Sequence, residues 1–390
     1  MLYLEESCGK RKGLNLLAFE TFPMRQVLAC LFILLFVAGT ASADETVQPK
    51  LYGAFLQGGI ADSWDTKGWN NEISGMRNLG LEAVILQDCR DEWLEPGGLV
   101  DKMIATCEER QFSYYIGTSE VVAFGFQSNY PTAEWFARRL PADNRRVNNV
   151  AARVKGRKHF KGWYLSLEVH SSYEDYEGVA RASAQNYFAP LTAEMKRLSP
   201  SASVVIAPFA NTRKSASWTG EPDIEGRNLA AMLDILLEET KIDVVAPQDC
   251  LGTDKARIAG DAPTLLPYFR SVKEIVDKHS GAQLWADIET FTLPSTEIYA
   301  EEHGPQLEKL VGSADLEQLR SQFAERSFDG LPRPVGSWKA SMDLLAKEVG
   351  IRRFIAFAYN PYILYRDRSG AANQTTKTHF YEKYRKESGR

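Results

Sequence analysis

From Leu51 onward the chain alternates short apolar runs, rich in β-branched and aromatic residues, with longer stretches whose apolar residues recur at helical spacing. The runs predict strands over 51–57, 82–88, 112–118, 162–168, 203–209, 242–248, 282–289 and 353–359. The stretches between them predict helices over 65–78, 98–110, 132–155, 173–198, 225–240, 262–278 and 337–349. Strand, helix, strand at this spacing means parallel strands joined by right-handed crossovers. The expected fold class is α/β: a single-domain (β/α)8 barrel over residues 49–384. An open doubly wound sheet is the alternative. It calls for a glycine-rich phosphate turn after the first strand, and Gly58 and Gly59 lack the third glycine and the helix start of such a turn. Two Gly- and Pro-bearing stretches, 290–305 and 327–336, interrupt the last crossover and are expected as excursions on the rim.

Two of the strands end in acid. In LWADIETF (284–291) the alternation of faces puts Trp285, Asp287 and Glu289 on one side. In GWYLSLEV (162–169), Glu168 shares a face with Tyr164 and Ser166. The C-terminal ends of barrel strands form one shared mouth. Here they read Gln57, Gln87 with Asp88, Thr118, Glu168, Gln248 with Asp249, Asp287 with Glu289, and Tyr359 with Asn360. Every such group must be hydrogen-bonded or hydrated, so gathering them at one end calls for a reason.

Glu168 and Glu289 are the candidate catalytic pair, because cleaving a glycosidic bond takes one protonated carboxyl and one ionised carboxylate. The competing reading pairs each with an arginine at the rim. Asp287 either meets substrate or is a hydrogen-bonded carboxylate that orients its neighbours. Gln57, Asp88, Gln248, Asp249, Tyr359 and Asn360 are candidate contacts for sugar hydroxyls, with a loop cap as the alternative for Asp88 and Asp249. Trp93 and Trp218, in loops after strands, are candidate platforms for sugar rings, whereas Trp64, Trp69, Trp163 and Trp285 read as core. His159, His170, His279, His303 and His379 show no HxH or HExxH spacing, so neither a metal nor another cofactor is expected. His170 reads as an exposed loop residue. No serine lies in a GxSxG elbow.

Composition narrows the setting. A chain of 390 residues, 44% hydrophobic and 25% charged, has ample material for a core. Met24 and Arg25 precede an apolar run, 27–38, and then Ala41, Ser42 and Ala43, the order of a secretory leader. Residues 1–43 therefore read as an upstream extension plus a leader cleaved after Ala43, leaving a secreted or periplasmic protein without a stable membrane anchor. Cleavage removes four basic and three acidic groups and takes the net charge from −5 to −6. A mildly acidic chain without a Lys/Arg cluster among aromatics is not expected to bind nucleic acid. Cys89, Cys107 and Cys250 form no metal motif; buried thiols, or one disulfide with a free thiol, remain open.

Six segments carry a resemblance: GAFLQ (53–57), LGLEAVILQ (79–87), GWYLSLE (162–168), VVAPQDCLG (244–252), LWADIETF (284–291) and SADLEQLRSQF (313–323). In these the chain resembles the domain of unknown function 4434 family, grouped with glycosidase-like TIM barrels. The resemblance implies the barrel fold and a carbohydrate partner. Retaining glycosidases of similar architecture carry the acid/base at the end of strand four and the nucleophile at the end of strand seven, which implies these roles for Glu168 and Glu289. Those enzymes place Asn before the strand-four acid, and this chain has Leu167. Two functions are expected from this: a glycoside hydrolase acting on a bacterial or environmental polysaccharide, or a glycan-binding barrel without the reaction.

Overall fold

The computed structural model describes residues 49–119, 122–123, 132–171, 173, 175–210, 222–251, 265–292, 331–333, 335–359 and 386. The leader expected over 1–43, and Trp218 and Asn360, lie outside them. Pro49–Arg390 forms one compact unit.

The strands are β1 Leu51–Leu56, β2 Ala83–Leu86, β3 Ser113–Gly117, β4 Phe160–Leu165, β5 Ser203–Ile206, β6 Val244–Val245, β7 in two halves Gln283–Leu284 and Ala286–Glu289, and β8 Phe354–Phe357. Each pairs in parallel with its neighbours in chain order. Closure depends on the split in β7. Its first half pairs with β6 and its second with β8, which also pairs with β1. The change of partner falls between two residues: the Trp285 N–H donates to Val245 O at 2.9 Å, and the Ala286 N–H to Arg353 O at 3.0 Å. A nine-segment sheet thus becomes a nearly closed eight-stranded barrel, the architecture expected from the alternation of elements.

Strands buried on both faces read as continuous apolar runs, and AVIL of β2 is buried throughout. Around them lie α1 Thr66–Asn78, α2 Leu99–Glu109, α3 Ala133–Val154, α4 Tyr176–Ser183, α5 Ala189–Leu198, α6 Pro222–Glu239, α7 Leu266–Lys278 and α8 Val335–Glu348. A π-helical turn, Ala184–Phe188, runs α4 into α5, so the single helix expected over 173–198 is three joined pieces. Side chains set the helix starts: Asp65 Oδ1 accepts from the Gly68 N–H, and Thr132 Oγ1 from the Trp135 N–H. No helix among the described residues is long and apolar enough to cross a membrane.

The barrel interior is layered. At the bottom Trp285 packs edge-on against Tyr52 and Tyr115, with the Arg353 guanidinium over the Tyr52 and Trp285 rings. Above them Phe55 meets Tyr164 and Phe357, with ring centroids 4.8 and 5.7 Å away. The same alternation that carries Trp285 at the bottom carries Asp287 and then Glu289 toward the C-terminal end.

Candidate active site

Four carboxylates converge where β4, β6 and β7 end. Asp287 and Glu289 come from β7, both buried. Asp249 follows β6, and Glu168 lies in a two-residue strand beyond β4, Leu167–Glu168, that pairs in parallel with Val122–Ala123. Backbone bonds hold β6 and β7 in register past the end of the regular ladder. The Asp287 N–H donates to Pro247 O, the Asp249 N–H donates to Asp287 O, and Gln248 stands opposite Asp287.

Asp249 is tied down. Its Oδ2 accepts from Arg333 Nη1 at 2.7 Å, and its Oδ1 accepts from the backbone N–H of Glu289 at 3.0 Å. Arg333 also donates from Nη1 to Glu289 O, from Nη2 to Ser341 Oγ and from Nε to Ser337 Oγ. It reaches the mouth because Phe291–Thr292, just after β7, pairs antiparallel with Leu331–Pro332. These pieces of the two expected rim excursions are what can be described of them. Asp249, expected as a sugar contact, instead orients the backbone of Glu289 from a fully buried position.

Asp287 is 1% exposed, and its Oδ1 has no hydrogen-bond partner among the described residues. Burial, then the charges of Glu289, Asp249 and Glu168, raise its pKa well above the ordinary aspartate value.

The remaining expected residues divide. Gln57 is half-buried at the end of β1, where its carbonyl starts a one-turn helix, Gly58–Ala61. Gln248 is also half-buried, with Nε2 donating to Ala207 O. Asp88 lies beside Arg90 (3.4 Å); burial pushes its carboxyl up, while Arg90 and the Gly58 backbone pull it down. One platform and one hydroxyl contact are corrected. Trp93 is buried, with Gly58 so close that a Cβ there would strike the ring at 2.3 Å and with the Arg90 guanidinium 4.8 Å from the ring centroid, so the ring is covered by the protein itself. Tyr359 is fully buried and its hydroxyl donates to Glu72 on α1, so it points toward the helix layer and away from the mouth.

His170 is a further correction. It is 5% exposed, stacked between Tyr173 and Phe209, with Nε2 3.1 Å from the Tyr173 hydroxyl. Beside it, Ser171 Oγ donates to Glu225 Oε2 at 2.6 Å, and burial raises the Glu225 carboxyl. Glu225 in the first turn of α6 was missed, and so was Arg333. Their partners lie 54 and 84 residues away, so no local pattern marks either one. Cys89, Cys107 and Cys250 are buried free thiols. Among the described residues no group of His, Cys, Asp and Glu could hold a metal ion.

Comparison with solved structures gives the same architecture. An 18%-identical protein provisionally assigned as an alpha-L-fucosidase from Bacteroides thetaiotaomicron aligns with a TM-score of 0.58 over 87% of this chain and 94% of its own. The endo-beta-1,4-mannanase from Thermotoga petrophila, 11% identical, aligns with a TM-score of 0.52 over 87% and 77%. At these identities the likeness establishes a glycosidase-like TIM-barrel fold. Among curated proteins no significant match is found. The family model for a domain of unknown function, DUF4434, matches residues 51–327, and the chain therefore belongs to the DUF4434 family.

Proposed function

We propose that this protein is a secreted glycoside hydrolase that cleaves a polysaccharide or oligosaccharide with retention, Glu168 serving as general acid/base and Glu289 as nucleophile. The observation that carries the reading is the convergence of Glu168, Asp249, Asp287 and Glu289, close enough for the other three to oppose charge on Asp287. In the first step Glu168 protonates the departing glycosidic oxygen while Glu289 attacks the anomeric carbon and forms a glycosyl ester. In the second, Glu168 takes a proton from water, which displaces Glu289. Asp249 and Arg333 hold the Glu289 backbone, supporting the preorganisation that such an attack needs.

Azide with an activated aryl glycoside tests the assignment. Glu289→Gly should lose turnover and recover it with azide as a product of inverted configuration; Glu168→Gly should recover it with retained configuration. Undiminished turnover in both variants would overturn the pair.

A glycan-binding barrel is the second reading, favoured by Leu167, which is fully buried and brings no polar group beside Glu168. Tight oligosaccharide binding without turnover would select it. The secreted or periplasmic location rests on the leader-like order of 24–43, and Asp44 at the mature N-terminus is the expected mass-spectrometric result; residues 1–23 in the mature chain would overturn it.

A further inference from the structure

Asp287 is the acid that the proposed reaction does not use, and its surroundings constrain its charge. It is 1% exposed, and its Oδ1 meets no donor among the described residues. Leaving an ionised carboxylate oxygen unsatisfied in that setting forfeits hydration without replacement. The titratable groups around it make ionisation harder. Glu289 stands two residues along β7, Asp249 at the end of β6 and Glu168 beyond β4, all of them acids. Tyr164 on β4 and Tyr268 on α7, each buried, lie near enough for Asp287 to act on their hydroxyls, and neither brings positive charge. Among the described residues Arg333 is the cation of this cluster, and its donors go to Asp249, Glu289 O, Ser337 and Ser341, not to Asp287.

We infer that Asp287 is a positioning residue that stands as a neutral acid under the mouth, beside Glu168 and Glu289, and adds no negative charge next to the ionised nucleophile. The part concerning Glu168 and Glu289 rests on the hydrolase reading; the proton on Asp287 does not. A carboxylate at 287 would oppose ionisation of the nucleophile. A neutral carboxyl of the same shape fills the same space without that penalty.

The experiment is the pH dependence of unfolding for the full chain and Asp287→Asn. An acid that keeps its proton when folded and loses it when unfolded makes the native state lose ground as pH rises above the ordinary aspartate range. Asparagine has no such linkage. The ratio of the wild-type unfolding constant to that of D287N should therefore climb about tenfold per pH unit from roughly pH 4 toward neutrality. A flat ratio would overturn the proposal, since a merely structural role shifts stability by the same amount at every pH. Asp287→Ser replaces D287N if the amide does not fold, because the slope and not the offset is read.

A second arm concerns the site. With Asp287 neutral, D287N leaves the acidic limb of the kcat/KM profile at its wild-type pH. A limb that moves to lower pH means that a negative charge was removed, and overturns the inference. Absence of turnover in the wild-type protein defeats the hydrolase reading alone, because the unfolding ratio still decides the protonation of Asp287.

Discussion

Arg333 Nη1 lies 2.7 Å from Asp249 Oδ2, with the arginine side chain 4% exposed and the aspartate wholly buried, so the two charges face each other out of water. Such a pair is weak evidence of net stability, but removing one partner strands the other. Arg333→Met should destabilise the protein by about 3–5 kcal/mol. Adding Asp249→Asn to that variant should restore a substantial part, because a neutral amide can still accept from the Glu289 N–H. Chemical denaturation of the two variants checks this, and equal loss in both would show that packing of the arginine stem, not its charge, matters.

Gly162 tests the barrel wall. It stands opposite Ser203 in the β4–β5 ladder, and a Cβ there would lie 2.0 Å from Ser203 O, a backbone atom that cannot swing aside. Gly162→Ala should cost about 1–3 kcal/mol as the strands are forced apart. Gly281→Ala is a useful contrast. A Cβ at that position meets nothing, and its cost arises from the backbone, which sits at φ 106°. Thermal unfolding of both variants separates steric from conformational strain.

Cys89, Cys107 and Cys250 should resist a thiol-directed alkylating reagent at mildly alkaline pH while the protein is folded. All three are buried, and burial pushes the Cys89 thiol up to about 12 and the Cys107 thiol higher still, so the reactive thiolate is scarce. Peptide mapping after labelling should find these three modified only when denaturant is present. Modification of Cys250 alone in the native state would indicate that the loop after β6 opens.

Strands with both faces buried announce themselves as apolar runs, and that is why eight strand positions could be read from the residues. Asp287 and Glu289 end a strand, as their run predicts, because β7 resumes at Ala286 after its change of partner and stays in register with β8 to Glu289. The strand-end reading failed at Tyr359, where the β8 ladder has already ended at Phe357 and the side chain reaches α1. Trp93 and His170 were misread for another reason: a residue in a loop after a strand is exposed only if nothing folds over it. Arg90 with Gly58 covers the first, and Tyr173 with Phe209 the second. Arg333 and Glu225 carry no local pattern at all, since each is fixed by a partner that only the closed barrel brings near.

The double pairing of β8 bears on where this domain ends as a folding body. The family match stops at residue 327, short of Arg333, α8 and β8. A chain cut there would leave β1 and the second half of β7 each with an unsatisfied row of backbone donors and acceptors, two raw edges facing a gap one strand wide. The sequence signature of the family and its cooperative unit are therefore not coextensive: the stretch by which relatives are recognised depends for its shape on a strand that lies beyond it.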